Sequence, residues 1–178
     1  MKPNPLPHTF YSTTITTPLG DMVALADNQA LYLLKFKDDI HINQAVEQIQ
    51  TTYFAKIIYQ PNQITHQVQE ELNLYFHNKL TKFTISLKLT GTNFQKKCWT
   101  ALLSIPYGQT ASYLQQAIFV GTPKACRAVG TSNGKNHIAI MIPCHRIINA
   151  NGKLGGYATG LDRKISLLTL ESQDNKEK

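Results

Sequence analysis

Cysteine is scarce in this 178-residue chain: Cys98, Cys126 and Cys144 are the whole set. An odd number cannot pair completely, and no two stand in a C-x-x-C spacing. A disulfide scaffold and a structural zinc are both poor readings, and free thiols are expected. Long apolar runs are missing too, and none approaches the roughly 20 residues of a membrane span. Met1-Lys2-Pro3-Asn4-Pro5 has neither the apolar core nor the cleavage site of a signal peptide. A cytoplasmic protein without membrane contact is expected. His8, His41, His66, His77 and His137 form no metal-spaced set and read as surface or incidental residues, so no metal and no cofactor is expected. There is no repeat and no low-complexity tract. Arginine is absent from residues 1–90, where seven lysines balance seven acids. Residues 91–178 carry eleven Lys and Arg against four acids, a net charge of +7. That asymmetry points to a polyanionic partner.

The composition, 42% hydrophobic and 16% charged, supports a real core. Its shift near Gly91 suggests a domain over 1–90, a second over 91–171 and a disordered polar tail over 172–178. The first half reads as β-rich. Thr13–Thr17 and Met22–Ala26 flank Pro18-Leu19-Gly20-Asp21, a hairpin signal, and Leu31–Phe36 follows as a third strand. Ile64, Val68, Leu72, Tyr75 and Phe76 recur at helical spacing, predicting a helix over 63–78. Phe83–Leu89 reads as a strand or an extended linker.

The second half reads as helical. Thr92-Asn93-Phe94-Gln95 is a capping box, opening a helix with Phe94, Cys98, Leu102 and Ile105 on one face. Ser112 caps a helix over Tyr113–Val120, and Gly121 stops it. Thr122-Pro123 reads as the N-cap and first position of the next helix, 123–133. Helix, short glycine turn, helix is the helix-turn-helix pattern, with Lys124 and Arg127 making its second helix basic. Asn151-Gly152 between Ile147-Ile148 and Leu154 is a type I′ hairpin signal. Leu161, Ile165 and Leu168 mark a last helix ending at Glu171.

The most reactive-looking segment is Ile142-Pro143-Cys144-His145-Arg146. Cys98 and Cys126 read as inert core thiols. Cys144 instead adjoins an imidazole and a guanidinium, and nearby positive charge lowers a thiol pKa. His145 is placed to take the thiol proton, directly or through a water, if a carboxylate orients its ring. Residues 91–171 contain only two acids, Asp162 and Glu171. Glu171, on an amphipathic helix, is the better orienter, although it also reads as a surface cap. A cysteine hydrolase fits such a set, but its histidine is normally distant in sequence. The mismatch, the helix-turn-helix and the charge favour chemistry on nucleic acid.

Gly91-Thr92-Asn93-Phe94-Gln95, Ile105-Pro106-Tyr107-Gly108-Gln109-Thr110, Ser112-Tyr113, Arg127-Ala128-Val129-Gly130, Asn136, Pro143-Cys144-His145-Arg146, Gly155-Gly156-Tyr157 and Leu167-Leu168 before Glu171 resemble, in order and spacing, the O6-alkylguanine-DNA alkyltransferases. The resemblance is dense over 91–171 and only an outline before. It implies an α+β protein: an N-terminal antiparallel sheet domain with helices, ribonuclease H-like, then a mostly helical domain with the helix-turn-helix. It implies a monomer that binds double-stranded DNA containing O6-alkylguanine and flips the damaged base into a pocket. Cys144 then takes the alkyl group irreversibly, once per molecule; O4-alkylthymine stands as an open second substrate. By the same resemblance, His145 and Glu171 generate the thiolate, Asn136 braces the Cys144 turn, and Tyr113 protonates the leaving guanine. Arg127 fills the gap in the base stack, with Lys124, Ser112 and Thr122 also on the DNA side. Ile147, Tyr157, Ala158 and Pro143 surround the base. Some relatives carry an N-terminal metal site; residues 1–90 contain no cysteine, so no such zinc is expected. A binding-only damage sensor is the alternative, and the presence of Cys144 argues against it.

Overall fold

The computed structural model describes residues 8–173. Its main sheet has four strands in the order β3-β2-β1-β4: β1 (Thr9–Ile15), β2 (Met22–Ala26), β3 (Leu31–Phe36) and β4 (Lys56–Ile58). The first three form the expected antiparallel meander, and β4 adds to β1 in parallel. Gly20, at φ +113°, closes the first hairpin by donating its N–H to the Thr17 carbonyl (3.0 Å). That left-handed backbone is cheap only for glycine.

The sheet is covered on both faces. Alternation along β2 sends Met22, Ala24 and Ala26 to the larger core and Leu25 to a smaller one. The smaller core is sealed by α1 (Ile42–Tyr53), a helix absent from the sequence expectations. Its Ala45 and Ile49 face the sheet, but no side chain caps its start. The larger core lies under α2 (Gln63–Phe76), whose Val68, Leu72 and Tyr75 point inward. Between Leu25 and Ala26 the register slips, leaving Tyr32 as the extra residue of β3.

The outer edge of β3 is closed by two other segments. Leu31 exchanges backbone hydrogen bonds with Ser86 and Lys88 (both 2.9 Å), so the 83–89 segment is extended as expected. Leu34 donates to the His137 carbonyl and accepts from the Ala139 N–H (both 2.8 Å). Every residue of β3 is buried in consequence.

After Gly91 the fold is helical: α3 (Asn93–Leu102), α4 (Tyr113–Phe119), α5 (Cys126–Gly134) and α6 (Leu161–Gln173). Both expected capping boxes form, Thr92 with Gln95 and Ser112 with Gln115. The second helix of the helix-turn-helix begins at Cys126 rather than Pro123. Residues 123–124 form a turn, and the N-cap, Ala125, offers no side-chain oxygen. The Asn151-Gly152 turn forms, but Ile147–Ile148 (β6) pairs in parallel with Ala111–Ser112 (β5) instead of folding back as a hairpin. Ser112 serves both β5 and the α4 cap. α6 also departs from expectation. Its buried stripe is Lys164, Leu167 and Glu171, whereas Leu161 and Ile165 are 48% and 45% exposed. It continues through Ser172 and Gln173; residues 174–178 of the expected tail lie outside the described residues.

Candidate active site

The Cys144 turn is built around Asn136. Its carboxamide accepts from the Ile138 N–H (2.9 Å) and donates to the Ile142 carbonyl (2.8 Å) and to Cys144 Sγ (3.4 Å). The apolar run 138–142 thus becomes a tight loop, not a strand. Its Ile140 sits at φ +70°, a strained value for a β-branched residue. Pro143 then leads into a short 3-10 turn, Cys144–Arg146. Burial pushes the Cys144 thiol up, against the Asn136 hydrogen bond and the charges of Lys164 and Lys35.

The expected depression of that thiol by its sequence neighbours does not arise, because His145 and Arg146 both turn away to Glu171. His145 Nε2 lies 2.8 Å from Glu171 Oε1. Arg146 forks onto the same carboxylate through Nε (2.8 Å) and Nη2 (2.9 Å), and its Nη1 reaches the Ile105 carbonyl (2.7 Å). Tyr75 from α2 donates to Oε1 (2.7 Å), and the Gly108 N–H reaches Oε2 (3.3 Å). Glu171 is 1% exposed and His145 fully buried. Burial raises the Glu171 carboxyl, but the hydrogen bonds from His145 and Arg146 outweigh it and bring it down to about 2. Burial pushes the His145 imidazole below its usual value despite Glu171.

These facts settle the tautomer. An ionised carboxylate only accepts, so Nε2 carries the proton, and in a neutral ring Nδ1 is then a free acceptor. Nδ1 is buried with no hydrogen-bond partner among the described residues. Glu171 is buried and held by five donors, not a surface cap.

Cys144 opens onto a cavity of about 560 Å³ lined by Tyr113, Cys126, Arg127, Gly130, Tyr157 and Ala158, among others. The structure therefore brings Tyr113 and Arg127 of the helix-turn-helix together with Cys144, Tyr157 and Ala158. Burial and the neighbouring Cys144 raise the Tyr113 phenol. Cys126, expected in the core, is only partly buried and lines this cavity. Other expected residues lie apart. Pro143 faces a separate cleft of about 760 Å³ with Met141 and Arg146. Ile147 is fully buried and is tied in through its carbonyl, which accepts from Lys164 Nζ (2.5 Å). Ser112 Oγ is occupied in capping α4, Thr122 Oγ1 is buried, and Lys124 is exposed in the turn before α5.

Sequence reasoning missed Lys164, Lys35, Tyr75 and the true role of Arg146. Lys164 is fully buried, and its ammonium is held by the carbonyls of Ile147, Leu154 and Gly156. His137, taken as incidental, is buried beside Trp99, with burial and Lys35 lowering its pKa to about 4.

Comparison with known proteins accounts for both halves. Residues 10–89 match the model described as "6-O-methylguanine DNA methyltransferase, ribonuclease-like domain", and residues 93–173 match its "DNA binding domain". The methylated-DNA–protein-cysteine methyltransferase of Mycobacterium tuberculosis H37Rv is 42% identical over 89% of this chain and 90% of its own. That of Methanosarcina barkeri is 39% identical over 92% and 98%. A crystal structure of the Mycobacterium tuberculosis protein in complex with DNA superposes with a TM-score of 0.80 at 38% identity, covering 92% of this chain and 93% of that one. With both halves matched in order and relatives this similar along nearly their whole length, the chain belongs to the 6-O-methylguanine DNA methyltransferase family.

Proposed function

We propose that this protein repairs O6-alkylguanine in duplex DNA by moving the alkyl group onto Cys144, once per molecule. The observation that carries this reading is the cavity shared by Cys144 and Arg127: one wall holds a nucleophile, another a cationic side chain on the helix-turn-helix. Its volume suits a single flipped base. Arg127, exposed on α5, enters the base stack in place of the extruded guanine. The net charge of +7 in the second half holds the phosphates.

The chemistry follows from the geometry. His145 Nδ1 takes the thiol proton through a bridging water, while Glu171 keeps the ring in the required tautomer. Cys144 Sγ attacks the alkyl carbon; the S–C bond forms as the C–O6 bond breaks. Tyr113 supplies a proton to the departing guanine, which is a better leaving group neutral than anionic. The thioether has no hydrolytic exit, so the protein is consumed. Asn136 holds the thiolate by its amide, and Tyr157 and Ala158 line the base. The reading implies a monomer working where the DNA lies, in the cytoplasm. No helix among the described residues is long and apolar enough to cross a membrane.

Intact mass after mixing with an equimolar O6-methylguanine duplex tests the proposal. One methyl group is gained on Cys144, and none by Cys144→Ala. Methyl left on the DNA, despite tight binding, would make the protein a sensor instead.

A further inference from the structure

A charged pair lies buried behind the Asn136 turn and has no place in the chemistry above. Lys35 on β3 and Asp39 just after it are 2.6 Å apart, with side chains only 4% and 2% exposed. Lys35 Nζ also donates to the backbone carbonyl of Asn136 (3.3 Å). That carbonyl belongs to the residue whose side chain donates to Cys144 Sγ. The neighbouring His137 and Ala139 are the residues hydrogen-bonded to Leu34 on the edge of β3. The first half of the chain thus grips the nucleophile's support at two points, by ladder and by ammonium.

Stability does not account for such a pair. Desolvating two charges offsets most of their attraction, and apolar residues of similar volume often fill such a site at no loss. We propose that Lys35 is a positioning residue for alkyl transfer: its ammonium, held by Asp39, fixes the Asn136 turn and places positive charge behind the Cys144 thiolate. The proposal rests on Cys144 being the nucleophile named above.

The surroundings of the thiol leave room for this role. His145 faces Glu171, whose charge is matched by Arg146 and which also takes the Tyr75 hydroxyl. Tyr113 from α4 and Tyr157 are phenols, uncharged at neutral pH, and burial and Cys144 raise both further. His137 is neutral as well. Arg127 on α5 lines the cavity onto which Cys144 opens, while Lys164 on α6 and Lys35 on β3 both draw the Cys144 thiol down against burial. They approach from opposite halves of the chain. Asp39 dilutes the effect of Lys35, so removal of either partner has a definite and opposite sign.

The test uses the full chain and the variants Lys35→Met, Lys35→Arg and Asp39→Asn. The readout is the pH dependence of Cys144 alkylation by iodoacetamide, followed by peptide mass against Cys144→Ala from about pH 6 to about pH 11.5. Transfer from an O6-methylguanine duplex is measured in parallel. In Lys35→Met the inflection moves up by about one unit, slowing alkylation about tenfold below it. Lys35→Arg restores it, and Asp39→Asn moves it down. A pair that merely fills space slows both variants together and leaves the inflection in place, which overturns the proposal. If Lys35→Met does not fold, Asp39→Asn decides: a downward shift supports the role, and no shift or an upward one overturns it. A parent protein that alkylates normally but takes no methyl from DNA refutes the repair function and leaves this comparison intact.

Discussion

Glu171→Gln is the sharpest perturbation of the site, because the change is small in volume and large in charge. Glu171 accepts from Tyr75, His145, Arg146 and Gly108. Its carboxyl falls from 4.5 to about 2 in the fold. A folded pKa below the unfolded one means stability that is complete above about pH 4.5 and is lost as pH falls through about 2. At about 1.4 kcal/mol per unit, the charge contributes about 3 kcal/mol at neutral pH. Glutamine forfeits this, turns an amide donor toward donors, and leaves the buried Arg146 guanidinium uncompensated. An expected loss of about 3–5 kcal/mol lowers the melting temperature by about 10 °C in a chain of this length. The same amide can donate to His145 Nε2, moving the ring proton to Nδ1 and abolishing the base. Single-turnover transfer then slows about 100-fold or more. Thermal melts and quenched-flow transfer assays measure the two effects separately. The double variant Arg146→Met/Glu171→Gln removes both buried charges, so it recovers stability relative to Glu171→Gln without recovering rate. A Glu171→Gln protein that melts within about 2 °C of the parent and transfers at the parental rate refutes the reasoning.

Three further outcomes are expected. His137, with its pKa lowered from 6.5 to about 4, makes the fold lose about 3 kcal/mol as pH drops from about 6.5 to about 4; His137→Gln flattens that part of a urea-denaturation pH profile. Gly155 has φ +68°, and an added Cβ meets Tyr113 Cε2 at 3.0 Å. Gly155→Ala therefore costs about 1 kcal/mol in melting experiments and slows methyl transfer more than iodoacetamide alkylation, since it moves the phenol rather than the thiol. Arg127→Ala slows transfer from duplex DNA about tenfold or more, while Cys144 alkylation by iodoacetamide is unchanged; equal loss in both assays refutes the wedge.

Local signals were legible in the sequence and distant pairings were not. The Thr92 and Ser112 caps depend on partners three residues away, and both formed. Pro123 gave a misleading start because the turn before α5 runs three residues longer, to Ala125. On α6 the apolar pattern pointed to the wrong face: Lys164 and Glu171 are buried because carbonyls and Arg146 satisfy them, and Leu161 and Ile165 take the outside. No spacing rule links Tyr75 to Glu171, or Lys35 to Asn136, across 96 and 101 residues. Cys144, His145 and Glu171 could be named from residue type and scarcity of acids. That Arg146 serves Glu171 rather than the thiol needed side-chain directions, which the turn at 144–146 sets.

The closed edge of β3 also ties the first half of the fold to the segment that carries Cys144. Strands with open edges and apolar faces recruit other chains. Here the cover over half of that edge is residues 137–139, the segment that leads into the Cys144 loop. Any lesion or bulky adduct that lifts this segment uncovers Leu34 and its unpaired backbone groups together. An apolar strand edge opened in this way is the kind that pairs with other chains.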